Sequence, residues 1–260
     1  MALLVIETDA MRRVQAPSRA CTHPTSNLWM SDDGGMNVEL VVMQDAEAAA
    51  RAAAALLVDV AAAGGSVVLA GGSTPRRAYE LAAAAHSDWG GVDVWFGDDR
   101  CVPADDPRSN QLLVREALLE WLVVEPTMHP IATELPPIDA AEAYDAALQG
   151  EPLDLVLLGL GPDGHTASLF PGAAALDVRD RRAVAAAPGL EPFVERVTLT
   201  IPALEASAHV VFLAVGEEKA SAVRSAFADE PSRMTPASLV RSRRGATTVI
   251  LDRAAAALLG

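Results

Sequence analysis

Residues 36–57 read MNVELVVMQDAEAAARAAAALL. Val38 to Val42 form a short apolar run, and beyond Gln44-Asp45 the chain turns to alanine and leucine with Glu47 and Arg51 four apart. An apolar run of strand length followed at once by an alanine-rich helix is the first half of a βαβ unit, because a parallel strand needs a helix to carry the chain back across the sheet. The pattern recurs outward from here. Strands are expected over 38–42, 66–70, 93–96, 153–158, 183–186, 196–200, 210–215 and 247–251, and helices over 45–62, 75–85, 109–121, 139–147, 217–228 and 253–259. The stretch 125–137 carries four prolines and is expected to cross the surface as a loop. This alternation predicts an α/β fold: a single Rossmann-like domain over 36–260, with a mostly parallel sheet and helices on both faces.

Residues 1–35 differ. They hold Pro17, His23, Pro24, Gly34 and Gly35 without a sustained period, so a loose N-terminal extension is expected, with Met36 as an alternative start and Leu3 to Glu7 as a strand candidate. The 260 residues suffice for a full core. A formal charge of −15, from 35 acidic and 20 basic side chains, excludes a general nucleic-acid or anionic-membrane surface. An anionic ligand must therefore meet a local cluster of cations. Cys21 and Cys101 lie far apart with no metal-ligand spacing, so neither a disulfide framework nor a zinc site is expected. No apolar run approaches the roughly 18 residues of a membrane span, and no signal-peptide order opens the chain. A cytoplasmic location is the expectation.

In open parallel sheets ligands sit beyond the carboxyl ends of the strands, so the segments after each strand hold the candidate chemistry. After the 66–70 strand comes GGSTP. Gly71 and Gly72 permit a tight turn, Ser73 and Thr74 can cap a helix, and Pro75 suits its first turn. Free N–H groups at such a start bind phosphate or carboxylate; a merely structural turn is the other reading. After 93–96 comes Asp98-Asp99-Arg100, where Arg100 abuts the strand end as a candidate ligand for an anion, whereas Asp105, Asp106 and Arg108 suit a solvated loop.

The third segment, 155–171, reads LVLLGLGPDGHTASLFP and holds G-x-G-x-x-G at Gly159, Gly161 and Gly164. A dinucleotide turn fails on context. Pro162 removes an N–H, Asp163 adds negative charge, and a helix from Thr166 would stop at Pro171, too soon for a crossover. What remains is a glycine-rich loop presenting Asp163 and His165, a pairing that suits an orienting carboxylate and a general base. The fourth segment pairs Arg196, opening RVTLTIPAL, with Lys219 in VVFLAVGEEKASAV. Each can be an ordinary surface cation. A lysine at a helix entry opposes the dipole, however, which favours an anion-holding role for Lys219.

In this order and spacing, GGSTP, FGDDRCVP, LGLGPDGHTASLFPG, RVTLTIPAL and FLAVGEEKA resemble the 6-phosphogluconolactonase family, with GLGPDGHTASLFPG the most specific. The resemblance runs from about Met36 to the C-terminus. A wider group that includes glucosamine-6-phosphate deaminase/isomerase shares the GGSTP turn, the D-G-H segment and the G-x-x-K lysine. Asp98-Asp99-Arg100 and Thr166 to Pro171 stand where the deaminase pattern has Asp-Glu-Tyr and Ile-Ala-Phe-Asn-Glu-Pro. The lactonase pattern usually reads Asp-Glu-Arg, so Asp99 has a shorter reach and is left out of the catalytic set.

The resemblance implies hydrolysis of 6-phospho-D-glucono-1,5-lactone to 6-phosphogluconate, the second step of the oxidative pentose phosphate pathway, with no metal and no nucleotide cofactor. It implies His165 as the base that activates water, Asp163 as its orienting carboxylate and Arg100 as the group that meets the oxyanion. The 6-phosphate is then expected on Gly72, Ser73, Thr74, Arg196 and Lys219. The partner expected is this sugar-phosphate lactone, bound by a monomer, with no nucleic acid and no membrane. An amino-sugar-phosphate deaminase or another sugar-phosphate isomerase on the same fold is the nearest alternative, and a sugar-phosphate-sensing module of a transcription regulator is a second, but residues 1–35 lack the basic charge and helical period of a helix-turn-helix.

Overall fold

The computed structural model describes residues 27–29, 38–191 and 193–259. The candidate strand at Leu3 to Glu7 lies outside them, as does most of the stretch 1–35 expected to be loose. Within that stretch Asn27–Trp29 forms β1, antiparallel to β2 (Val38–Met43). Helix α1 (Ala46–Ala63) comes directly after β2, as residues 36–57 predict. Its start is fixed by Asp45, whose carboxylate accepts from Ala48 N at 2.8 Å, and its end by Gly64 at φ 68°. The alanines serve packing: Ala49, Ala53 and Leu57 are almost wholly buried and let α1 approach the sheet and its neighbour closely.

The chain continues through β3 (Ser66–Leu69), α2 (Ser73–Ala85), β4 (Asp93–Phe96), β5 (Asp98–Arg100) and α3 (Asn110–Ala117). Then come β6 (Thr127–His129), α4 (Pro137–Leu148), β7 (Leu155–Gly159), β8 (Ala183–Ala186) and β9 (Arg196–Leu199). Last are α5 (Ile201–Glu205), β10 (His209–Ala214), α6 (Ala220–Phe227) and β11 (Ala246–Asp252). The main sheet has the order β1-β2-β11-β10-β7-β3-β4-β6, and every pair in it except β1–β2 is parallel. Val67, Val68, Val156, Leu158, Val211 and Phe212 are fully buried, as central strands covered on both faces require. The expected α/β architecture is the one observed.

Several elements differ from expectation. The strands at 183–186 and around 196–200 leave the main sheet and join β5 in a separate antiparallel sheet, β5-β9-β8. Thr127–His129, expected as loop, is an edge strand; Pro126 and Pro130 flank it, and an edge strand tolerates prolines because one side needs no ladder. The expected helix 253–259 is a series of turns, with bonds such as Leu259 N to Ala256 O closing over three residues. Residues 109–121 divide into α3 and a 3-10 turn at Leu119–Trp121, and 217–228 into a 3-10 turn at Glu217–Lys219 and α6.

Strand order places the site. From β3 the chain builds outward to β4 and β6, then returns to set β7 on the other side of β3 and builds outward again through β10 and β11. The two connections diverge between β3 and β7, which makes their carboxyl ends the topological switch point. There the β3–β7 ladder ends at Val68 and Val156. Beyond it, the Tyr79 hydroxyl donates to Ala70 O at 2.7 Å and accepts from Ala70 N at 2.9 Å. A side chain thus satisfies both backbone groups of Ala70 where the strands part.

Candidate active site

A cleft of about 220 Å³ opens at this switch point, and Gly72, Ser73, Thr74, Arg100, His165, Arg196 and Lys219 all line it. Asp163 stands behind His165 instead of lining the cleft. One end of the cleft is the start of α2. Gly72 holds φ 108°, which only glycine adopts readily, and no side chain caps the helix beyond it. Pro75 in the first turn lacks an N–H, so the donors on offer there are those of Ser73 and Thr74 with the hydroxyls beside them.

The loop after β7 does the opposite. Gly164 N bonds Gly161 O at 3.0 Å and Gly161 N bonds His165 O at 2.8 Å, which folds the chain on itself with no helix behind it. The short helix conceivable from Thr166 is instead a turn closed by a bridge between Thr166 and Leu169. The glycines of G-x-G-x-x-G are not equivalent. Gly159 has no steric reason to be glycine, since a Cβ there meets nothing; at Gly161 a Cβ would overlap the His165 imidazole; and Gly164 combines φ 84° with close approach to Thr235.

The product of that fold is a side-chain pair. Asp163 Oδ1 lies 2.5 Å from His165 Nδ1 and also accepts from the His165 N–H at 3.2 Å. A carboxylate accepts, so the contact favours the tautomer with the proton on Nδ1, in which a neutral imidazole has its lone pair on Nε2. The imidazole side chain is 21% exposed, open enough for water and substrate to reach Nε2.

The cations come from the small sheet and from the turn after β10. Arg100 on β5 and Arg196 on β9 are directly opposed in the antiparallel register. Arg196 is 3% exposed, its guanidinium 5.3 Å from the centre of the Phe170 ring. Burial, then the charge of Arg100, pulls it below the ordinary arginine range. Like charges facing across a ladder are unfavourable, and the carboxylates of Asp98 and Asp99 offset part of that repulsion at Arg196. Lys219 reaches the cleft from the turn after β10, where Gly216 takes φ 97° and donates to the Asp252 carboxylate at 3.1 and 3.2 Å.

Asp99 is fully buried and anchors structure. It accepts from Arg100 N and Asn110 N at 2.8 Å and from Ser109 Oγ at 3.1 Å, holding the start of α3, and burial pushes its carboxyl above the usual range.

Sequence reasoning missed Asn110, Ala167 and Phe170, and it set Asp98 at the strand end without giving it a role. Asp98 is 5% exposed and accepts from Ser168 Oγ at 2.5 Å. Ala167 has φ 48°, the one positive value among the described non-glycine residues, and lines the cleft between Thr166, bonded to Gly159 O, and Ser168. Phe170 bridges the site, its ring 4.9 Å from that of His165 and in contact with Arg196. A polar residue next to a cap or an aromatic after a turn carries no local mark of such a role.

Comparison with known proteins agrees with the geometry. The family model described as glucosamine-6-phosphate isomerases/6-phosphogluconolactonase matches residues 42–249. A 6-phosphogluconolactonase of Rattus norvegicus is 39% identical over 186 residues, covering 68% of this chain and 72% of the relative. The solved 6-phosphogluconolactonase from Trypanosoma cruzi superposes with a TM-score of 0.76 at 30% identity, covering 85% of this chain and 96% of that one. A monomeric glucosamine-6-phosphate deaminase superposes with a TM-score of 0.74 over 84% of this chain and 99% of its own, but at 21% identity it speaks for the fold alone. By sequence and fold, this chain belongs to the glucosamine-6-phosphate isomerase/6-phosphogluconolactonase family.

Proposed function

We propose that the protein hydrolyses 6-phospho-D-glucono-1,5-lactone to 6-phosphogluconate. The observation that carries this is the Asp163–His165 pair, with Nδ1 committed to the carboxylate, in the same cleft as the uncapped start of α2 and a facing pair of arginines. The similarity to 6-phosphogluconolactonases supports a lactone hydrolase.

His165 Nε2 takes a proton from water as the oxygen attacks C1, and Asp163 stabilises the imidazolium that forms. General-base assistance of this kind is worth about 10²- to 10⁴-fold. Charge developing on the C1 oxygen is met by Arg100, and loss of one such donor costs about 2.7–4 kcal/mol at comparable sites. The tetrahedral intermediate collapses with C1–O5 cleavage, and His165 returns its proton to the ring oxygen. The 6-phosphate lies against Gly72, Ser73 and Thr74 with Lys219 and Arg196, which fixes the lactone relative to His165. No metal or nucleotide enters the scheme.

The test makes the lactone in situ from glucose 6-phosphate and its dehydrogenase, then tracks acid release against the spontaneous rate. Acceleration proportional to enzyme concentration is expected. Acid release at the spontaneous rate, or ammonia release from glucosamine 6-phosphate instead, would refute the reading.

A further inference from the structure

Asn110 appears in neither half of the scheme, yet it touches both sides of the cleft. It is 1% exposed at the first position of α3, with its N–H held by Asp99 Oδ1 at 2.8 Å. Its Nδ2 donates to Asp98 O at 2.8 Å and to Asp98 Oδ1 at 3.3 Å. Both partners are acceptors, so the amide has one orientation, and its Oδ1 faces the other way. There it accepts from Arg100 Nη1 at 3.1 Å, while the same nitrogen donates to Arg108 O at 2.7 Å. Arg100 is thus gripped by one nitrogen, and its Nε is buried without a hydrogen-bond partner among the described residues.

The other side is Gly71. Its backbone is not in the left-handed region, but a Cβ there would overlap Oδ1 and Cγ of Asn110. The first glycine of GGSTP is therefore the seat of the Asn110 amide. One side chain sets the spacing between the α2 start and the Arg100 guanidinium.

We propose that Asn110, seated on Gly71, is a positioning residue that aligns Arg100 for the reacting carbonyl. The proposal rests on the lactonase reading for what Arg100 does, and on the Asn110 hydrogen bonds for how it is held. A misplacement of about 1 Å in such a group can cost about 10²-fold in rate.

The test uses the full chain with Asn110→Ala, Asn110→Asp, Gly71→Ala and the Asn110→Ala/Gly71→Ala double variant, each assayed well below its measured unfolding midpoint. Asn110→Ala is expected to lower kcat about 10- to 100-fold with KM within about threefold, a split that mere loss of stability would not produce. Gly71→Ala alone is expected to lower kcat comparably. Added to Asn110→Ala it should cost less than about twofold more, because the atoms it would strike are gone. Asn110→Ala with kcat within twofold of wild type overturns the proposal, as does full multiplication of the two single effects. If Asn110→Ala does not fold, the near-isosteric Asn110→Asp decides, with kcat within twofold again overturning it. A wild-type protein that leaves the lactone at its spontaneous rate refutes the functional reading separately. In that event 6-phosphogluconate binding by the same variants is the readout, expected about tenfold weaker for Asn110→Ala, and unchanged binding overturns the positioning role.

Discussion

Two glycine-bearing turns sit side by side at the switch point, one after β3 and one after β7, and they do opposite things. At Gly71-Gly72 the chain runs straight into the 13 residues of α2, so what reaches the cleft is the backbone, in the form of the helix start. At Gly159 to Gly164 the chain enters no helix, and what reaches the cleft is a side chain with its carboxylate behind it. Glycine spacing alone does not distinguish the two. The segment beyond the glycines decides whether a turn offers N–H groups for a static charge or a base for a moving proton.

On the proposed function binding falls to the first turn and chemistry to the second, and substitutions can break that division. His165→Ala removes the base and is expected to lower kcat about 10²- to 10⁴-fold while the fold persists; near wild-type kcat would end the assignment. Gly161→Ala forces its Cβ into the imidazole. Most of the same kcat loss is expected, with the KM for the phosphorylated lactone little changed. Lys219→Ala should raise KM for that lactone about tenfold and leave hydrolysis of unphosphorylated gluconolactone as it was. An equal effect on both substrates would remove Lys219 from the phosphate. Gly72→Ala must hold φ near 108° or shift the helix start, so a loss of about 1–3 kcal/mol in stability is expected, with a rise in KM and little change in kcat. A variant that lost kcat alone would blur the two turns.

The smallest effect serves as a control at the other end of the sheet. His209 opens β10, with its Nε2 2.9 Å from Thr248 Oγ1, and burial holds its pKa below the ordinary 6.5. The unfolded chain therefore takes up this proton at a higher pH than the folded one, and stability falls as pH drops below about 6.5. Thermal unfolding between pH 7 and 5 should show a shallower decline in His209→Gln, with kcat at neutral pH unaltered. An identical decline in both proteins would exclude His209 as the source.

The parallel architecture was legible because its signal is local: each strand and helix announces itself by its own period, as in residues 36–57. The rejection of a nucleotide turn was legible for the same reason, from Pro162, Asp163 and Pro171. The β5-β9-β8 sheet was not. Its strands are three or four residues long, and nothing within Asp98–Arg100 says that it pairs with a segment nearly a hundred positions on. Arg196 could therefore be read only as a candidate cation, and its place opposite Arg100 emerged from long-range register. Asn110 was hidden differently. Ser109-Asn110 reads as a helix cap, and the cap is real, with Ser109 Oγ accepting from Gln111 N at 3.1 Å, so the side chain's second task leaves no trace in sequence.

The opposition of Arg100 and Arg196 has a consequence for folding as well as for recognition. Two guanidiniums held across a ladder, in a protein whose net charge is −15, form a local concentration of the scarce sign. The carboxylates of Asp98 and Asp99 already offset part of that charge at Arg196, and on the proposed function the substrate phosphate would offset more. If the proposed phosphate site is right, occupancy of the cleft and integrity of the small sheet are linked, and a bound anion should make β5 harder to part from β9.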